Sequence, residues 1–159
     1  RGMTRWLTPG QQSYWRAYIA ATELLQDRLS RELQAAHGLT LADYEILVRL
    51  SESSDKQLRM SQLADVTLSS RSRLSHQIDR MEKAGLVRRE ACESDRRGAN
   101  AVLTEHGWQV LVAAAPTHVA GVREHLVDVL SEKEFAALGK ALGKVAEHLL
   151  DDSRAAAAG

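Results

Sequence analysis

The stretch from Met60 to Thr104 constrains the fold most, because its two helix patterns and one hairpin pattern follow each other in an order that few architectures accept. A short amphipathic segment, Gln62 to Val66, is followed by a Ser-rich turn and a longer segment from Ser70 to about Lys83. Gly85 is a typical residue for ending the second helix. The pattern predicts a helix-turn-helix.

Two short extended runs follow this pair of helices. They are Val87 to Ala91 and Ala99 to Leu103, and the residues between them, from Cys92 to Gly98, are mostly charged or small. Runs of this length with one polar loop predict a β-hairpin rather than a larger sheet. The fold class is therefore mainly α with a small β-hairpin, which is the arrangement of a winged helix-turn-helix.

The second helix of the pair has two different faces. Leu74, Ile78 and Met81 fall within one narrow sector at about 100° per residue and are predicted to be buried. The opposite face is polar and mostly cationic, and it is predicted to be exposed. Its members are Ser72, Arg73, His76, Arg80 and Lys83.

Long amphipathic helices flank this region on both sides. Residues 11–37 and 104–150 carry apolar residues at alternating spacings of three and four, whereas residues 40–103 hold the winged helix-turn-helix. Helices of this length would extend beyond a small domain, and symmetric association is the norm for soluble oligomers. We therefore expect a single domain over residues 1–159 whose flanking helices form a homodimer; an intrachain helical bundle is the alternative.

Charge is concentrated in the same region. The chain as a whole has 21 basic and 21 acidic side chains. Between Ser69 and Gly98, eight basic residues stand against five acidic ones, a local excess of three. A local cationic surface of this kind can attract the phosphates of nucleic acid although the net charge of the protein is zero.

Several classes of function lack support in the sequence. The chain has no phosphate-binding Gly loop and no nucleophile elbow, so we expect no enzymatic activity and no cofactor. The His residues lack the spacing of a helical metal site. A single cysteine, Cys92, excludes an intrachain disulfide framework and favours the cytoplasm.

An ordered set of motifs resembles the MarR family of bacterial transcription regulators over about residues 11–150. The motifs are Arg59 to Ala64, Asp79 to Gly85, Leu86 to Arg89, Asp95 to Gly98 and Leu103 to Gly107. The resemblance implies a homodimer that binds double-stranded DNA at a palindromic operator, usually as a repressor. It also implies release by a small molecule in many cases.

The candidate DNA contacts lie on the second helix and on the hairpin. A helix in the major groove can reach base edges with Arg, Ser, His and Gln, and its N-terminus favours phosphate. At the hairpin tip, Arg97 is expected to enter the minor groove, with Asp95 holding its guanidinium as in the family's Asp-x-Arg pattern. The full set is Ser69, Ser70, Arg71, Arg73, His76, Gln77, Arg80, Arg88, Asp95, Arg96 and Arg97.

Four aromatic residues are candidates for an effector pocket between the first helix, the second helix and the long helix after the hairpin. They are Trp15, Tyr18, Tyr44 and Trp108, and they would suit a small aromatic or phenolic effector. Core or interface packing is the alternative explanation for each of them, and the sequence favours it.

Two other functions stay open. A winged-helix protein-interaction module without DNA binding would keep the fold but would need neither the cationic helix face nor Arg97. A redox-responsive regulator acting through Cys92 is the second, because neighbouring cations can lower a thiol pKa and make it reactive.

Overall fold

The computed structural model describes residues 2–159, apart from the side chains of Asp95 and Arg96. It confirms a mainly helical fold with a small antiparallel sheet. In the described part, single 3₁₀ turns at Ser54–Lys56 and Val127–Val129 accompany the longer elements. These are α1 (Pro9–His37), α2 (Leu41–Ser51), β1 (Gln57–Arg59), α3 (Met60–Thr67), α4 (Arg71–Lys83), β2 (Val87–Cys92), β3 (Asp95–Leu103), α5 (Glu105–His125) and α6 (Glu132–Ala158).

Local capping chemistry sets the ends of the helices. Thr8 and Gln11 form a capping box before α1, and Pro9 occupies its first position. Gly38 ends α1 in the left-handed conformation with φ 67°. The hydroxyl of Ser70 accepts from the backbone N–H of Arg73 at 3.1 Å, which identifies Ser70 as the N-cap of α4.

The sheet has one more strand than the sequence predicts. Its order is β1-β3-β2, and both pairings are antiparallel. Ala101 in β3 lies opposite Leu58 on one side and Arg89 on the other. The short strand β1 therefore ties the segment before α3 to the hairpin.

One buried cluster joins α2, α3, α4 and the sheet. Leu47, Leu50, Leu63 and Ile78 are fully buried in it. Fixing these four side chains in one cluster holds the helix-turn-helix and the hairpin in a defined relation, because burial of apolar surface favours a single packed arrangement.

The first turn of α5 packs closely on the end of the helix-turn-helix. A Cβ built on Gly107 would overlap the carbonyl oxygen of Leu86 and would lie 2.8 Å from the Leu103 side chain. Thr104 also holds the start of α5 against Leu86. Its backbone N–H donates to the Leu86 carbonyl at 3.1 Å, and its hydroxyl donates to the same carbonyl at 3.0 Å. Only glycine fits at position 107.

Contacts within the chain divide it into two units, one that reaches to Val119 and one from Ala120 to Gly159. The second unit contains α6, which begins with a capping box between Ser131 and Glu134 and has no buried residue. Among the described residues, no helix combines the length and apolar character needed to cross a membrane.

Candidate nucleic-acid interface

Helix α4 presents the two faces that its periodicity predicts. Leu74, Ile78 and Met81 are buried, as expected. The side chains of Arg71 and Arg73 are exposed and make no ion pair with the other residues that the structure describes. Ser72, His76, Arg80 and Lys83 are exposed as well. The polar face of α4 is thus open to a ligand.

Gln77, one of the predicted DNA contacts on α4, differs from the others because it is buried. Its side chain is only 9% exposed, and its amide donates to the Asp43 carboxylate on α2 at 2.9 Å. A buried amide needs a partner inside the protein, and Asp43 provides one. Gln77 therefore joins α4 to α2, a position that does not favour the predicted groove contact.

A cleft of about 520 Å³ lies between α3, α4 and the hairpin. Four arginines contribute to its lining: Arg59, Arg71, Arg89 and Arg97. Arginines from α4 and from all three strands therefore line one concave surface. Such a surface suits a phosphate-bearing polymer, because several cations can act on neighbouring phosphates together.

Arg89 holds the hairpin against α4. Its guanidinium donates to the Asp79 carboxylate and to the Ser75 carbonyl oxygen, the latter at 3.0 Å. Its backbone N–H donates to the Glu82 carboxylate at 2.8 Å. The hydrogen bond from Arg89 keeps the pKa of Asp79 below its ordinary value of 3.8. The sequence pattern places Arg89 near the hairpin base but does not predict this bonding.

The remaining hairpin candidates differ from one another. Arg97 is exposed and lines the cleft. Arg88 is exposed and paired with Glu90 at 2.9 Å, within its own strand. The side chains of Asp95 and Arg96 lie outside the described residues, so the predicted Asp95–Arg97 contact stays a prediction.

The turn before α4 places Ser69 and Ser70 at the N-terminus of that helix. Ser70 uses its hydroxyl as the cap, whereas the Ser69 hydroxyl makes only a long contact of 3.4 Å with the Ser70 carbonyl oxygen. The amide groups of the first turn of α4 add partial positive charge at this point. Ser69 is therefore the better placed of the two hydroxyls for a new hydrogen bond.

Arg59 is a residue that the sequence analysis did not single out. Its guanidinium donates to the hydroxyl of Ser94 in the hairpin loop and contacts the sulfur of Cys92 at 3.2 Å. This contact joins the start of α3 to the hairpin loop. Nothing in the local sequence could have identified it, because the partners are more than thirty residues away.

Cys92 is half-buried and unpaired with another cysteine. The Ser94 hydroxyl lies 3.3 Å from its sulfur, and hydrogen bonds from Ser94, with a smaller contribution from Arg59, lower the pKa of the thiol. Redox reactivity at Cys92 stays a prediction.

The four aromatic candidates have different neighbours in the structure. Trp15 and Tyr18 stack on each other along α1, with ring centroids 5.8 Å apart. Tyr44 is buried against His118 with centroids 4.5 Å apart, and Lys56 lies over the Trp108 ring at 4.3 Å. None of the four lines the cleft between α3, α4 and the hairpin.

Comparisons with known proteins agree with this architecture. A family model described as "MarR family" matches residues 37–98. AbsC, a MarR family transcriptional regulator from Streptomyces coelicolor, is 55% identical, with 93% of this chain and 99% of that chain covered and a TM-score of 0.89. Sco3205, a MarR family transcriptional regulator from the same organism solved in complex with DNA, is 46% identical, with 92% of each chain covered and a TM-score of 0.90.

A curated relative is more distant in sequence. The HTH-type transcriptional regulator PecS of Dickeya dadantii is 29% identical over 135 residues, which are 84% of this chain and 81% of the relative. Both the sequence and the structural relatives are thus regulators of transcription.

Proposed function

Because the chain belongs to the MarR family of transcriptional regulators, we propose that it binds a palindromic DNA operator as a homodimer and acts in the cytoplasm as a repressor. The observation that carries the proposal is the cleft between α3, α4 and the hairpin, where Arg59, Arg71, Arg89 and Arg97 come together. A cationic helix face next to a cationic hairpin suits a duplex, which offers a major groove and flanking phosphates to one surface.

The side chains divide by role. Arg71, Arg73 and His76, on the exposed face of α4, read base edges in the major groove. Ser69 and Arg80 bind phosphates on either side of that groove. Arg97 enters the adjacent minor groove, where the negative potential is concentrated. Arg88 has a smaller part, because Glu90 already neutralises it.

The dimer rests on the helices of residues 11–37 and 104–150. In the chain as described, α6 buries none of its side chains, although Phe135, Leu142, Val145 and Leu149 recur at helical spacing. A helix with an exposed apolar stripe gains stability by pairing, because association removes that stripe from water. The double variant Leu142→Asp/Leu149→Asp should therefore sediment as a monomer. A dimer that survives both changes would contradict this assignment.

Release by a small aromatic or phenolic effector belongs to the same proposal. Its support in this chain is His118, whose Nδ1 is buried without a hydrogen-bond partner among the described residues, beside the Tyr44 ring. Burial lowers the pKa of His118, so the neutral ring can accept a hydrogen bond from a phenolic hydroxyl. Phenols should raise the melting temperature of the protein and dissociate its DNA complex, and His118→Phe should lose both effects.

Selection of bound fragments from genomic DNA tests the central claim. Sequence-specific recovery of an inverted repeat is expected, followed by titration of the affinity against salt. Arg97→Ala should weaken binding to every duplex and reduce the slope of log K against log salt by about one, because one cationic contact is lost. Lys140→Ala, a charge change in α6, is the matched control and should leave both quantities unchanged. Recovery of no preferred sequence would refute operator recognition.

A further inference from the structure

The turn between α3 and α4 carries an apolar side chain at a backbone position where this chain elsewhere uses glycine. Leu68 follows α3 with φ 55°. Its N–H donates to the Asp65 carbonyl at 3.4 Å, and the N–H of Ser69 donates to the Ala64 carbonyl at 3.0 Å. These two bonds define a Schellman motif, in which Leu68 occupies the left-handed position.

Helix α4 ends with the same two bonds, which makes a direct comparison possible. Gly85 donates to the Glu82 carbonyl at 2.9 Å, and Leu86 donates to the Met81 carbonyl at 3.0 Å. Here the left-handed residue is glycine with φ 76°, and the leucine comes one position later and is buried. At the end of α3 the leucine itself adopts the left-handed conformation.

The left-handed conformation closes the end of α3, but the fold makes no use of the Leu68 side chain. A side chain with a Cβ is disfavoured in the left-handed region, whereas glycine is not. The Leu68 side chain is 78% exposed, so burial within this chain does not offset the cost. A strained residue that its own fold does not use is a reason to look for a partner outside the chain.

The position of Leu68 indicates the chemistry of that partner. It lies two residues before Ser70, the N-cap of α4, and three before Arg71, so it stands at the N-terminal end of the helix assigned to the major groove. The N-terminal residues of such helices approach base edges. The apolar group that the major groove offers is the 5-methyl of thymine.

We propose that Leu68 packs against the 5-methyl group of a thymine in each operator half-site and thereby determines the base preferred at that position. The inference rests on the proposed function, since it assumes that α4 enters the major groove. It adds a hydrophobic specificity contact to a surface that is otherwise polar and cationic.

Removal of single methyl groups from the DNA tests this contact. Each thymine of the selected half-site is replaced in turn by deoxyuridine, and affinities are measured for the full-length dimer. One replacement should weaken wild-type binding by about fourfold, the effect of one buried methyl group. Leu68→Met should keep the effect, because the side chain stays apolar. Leu68→Asn should bind both duplexes equally, because asparagine accepts the left-handed conformation but offers no apolar contact.

Val66→Thr is the matched control, because Val66 lies on the last turn of α3 and is also exposed, at 41%. It should keep the methyl effect. Three results would overturn the proposal while leaving operator binding intact: no thymine whose methyl matters, a methyl effect that persists in Leu68→Asn, or one that disappears in Val66→Thr. A protein that selects no sequence at all would overturn this inference together with the proposed function.

Discussion

Arg73 and Arg89 carry the same guanidinium group but have opposite positions in the molecule. The Arg89 side chain is 26% exposed and is bonded to Asp79 and Ser75 across the gap between the hairpin and α4. The Arg73 side chain is exposed and forms no ion pair within the described residues. One arginine stabilises the interface's shape, and the other is available to a ligand.

This difference between the two arginines shows why the local excess of three positive charges between Ser69 and Gly98 understates the positive charge on the exposed face of α4. Of the acidic residues in the segment, Asp79, Glu82 and Glu90 are engaged by Arg89 and Arg88. These carboxylates therefore neutralise arginines of the hairpin base rather than those of the α4 face. Arg71 and Arg73 are left with their full charge at the N-terminal end of α4.

The largest effect on binding is expected from Arg73→Ala. Loss of a base-contacting guanidinium should cost about 1–3 kcal/mol of operator affinity and relax the preference at one base pair. The melting temperature should not change, because Arg73 contributes only its backbone N–H to the cap of α4. Operator-binding curves measure the loss of affinity, and thermal-melting curves of the same variant measure whether its stability changes. A large fall in melting temperature would contradict the claim that Arg73, unlike Arg89, does not stabilise the fold.

Arg89→Ala should act mainly on stability. It removes charge-assisted hydrogen bonds and leaves the carboxylates of Asp79 and Glu82 without their cationic partner. We expect a loss of about 2 kcal/mol, seen as a melting temperature lower by roughly 5 °C. Arg88→Ala is the matched control, because its partner Glu90 lies on the same strand and both are exposed. Equal effects of the two substitutions would mean that Arg89 does not anchor the hairpin.

The smallest effect is a dependence on acid. The folded-state pKa of Asp79 is lowered, chiefly by its hydrogen bond with Arg89, so the stabilising contribution is present above the unfolded value. It is lost as the pH falls below about 4 and through the folded pKa. Asp79→Asn should therefore show a smaller fall in melting temperature between about pH 5 and pH 3 than the wild type. Identical pH profiles would contradict the Asp79–Arg89 linkage.

Sequence periodicity was sufficient to predict the features that depend only on residues close together in the chain. The buried side of α4 follows from the spacing of Leu74, Ile78 and Met81, and the helix ends follow from Ser70 and Gly85. These features depend on residues within a few positions of each other, so the chain's own pattern encodes them.

Features that depend on distant partners could not be predicted in this way. Strand β1 is three residues long and exists because Leu58 lies opposite Ala101. Gln77 is buried because Asp43 accepts its amide from another helix. A polar residue at the edge of an apolar face can be exposed or buried, and only the tertiary partner decides.

Gly107 makes the contact between the start of α5 and the ends of α4 and β3 rigid. The first turn of α5 lies against the Leu86 carbonyl and the Leu103 side chain without space for even a methyl group. It therefore cannot shift appreciably relative to these two residues. The end of α4, the end of β3 and the start of α5 consequently move together as one rigid body. A rotation of the first turn of α5 would therefore turn the end of α4 and the end of β3 with it.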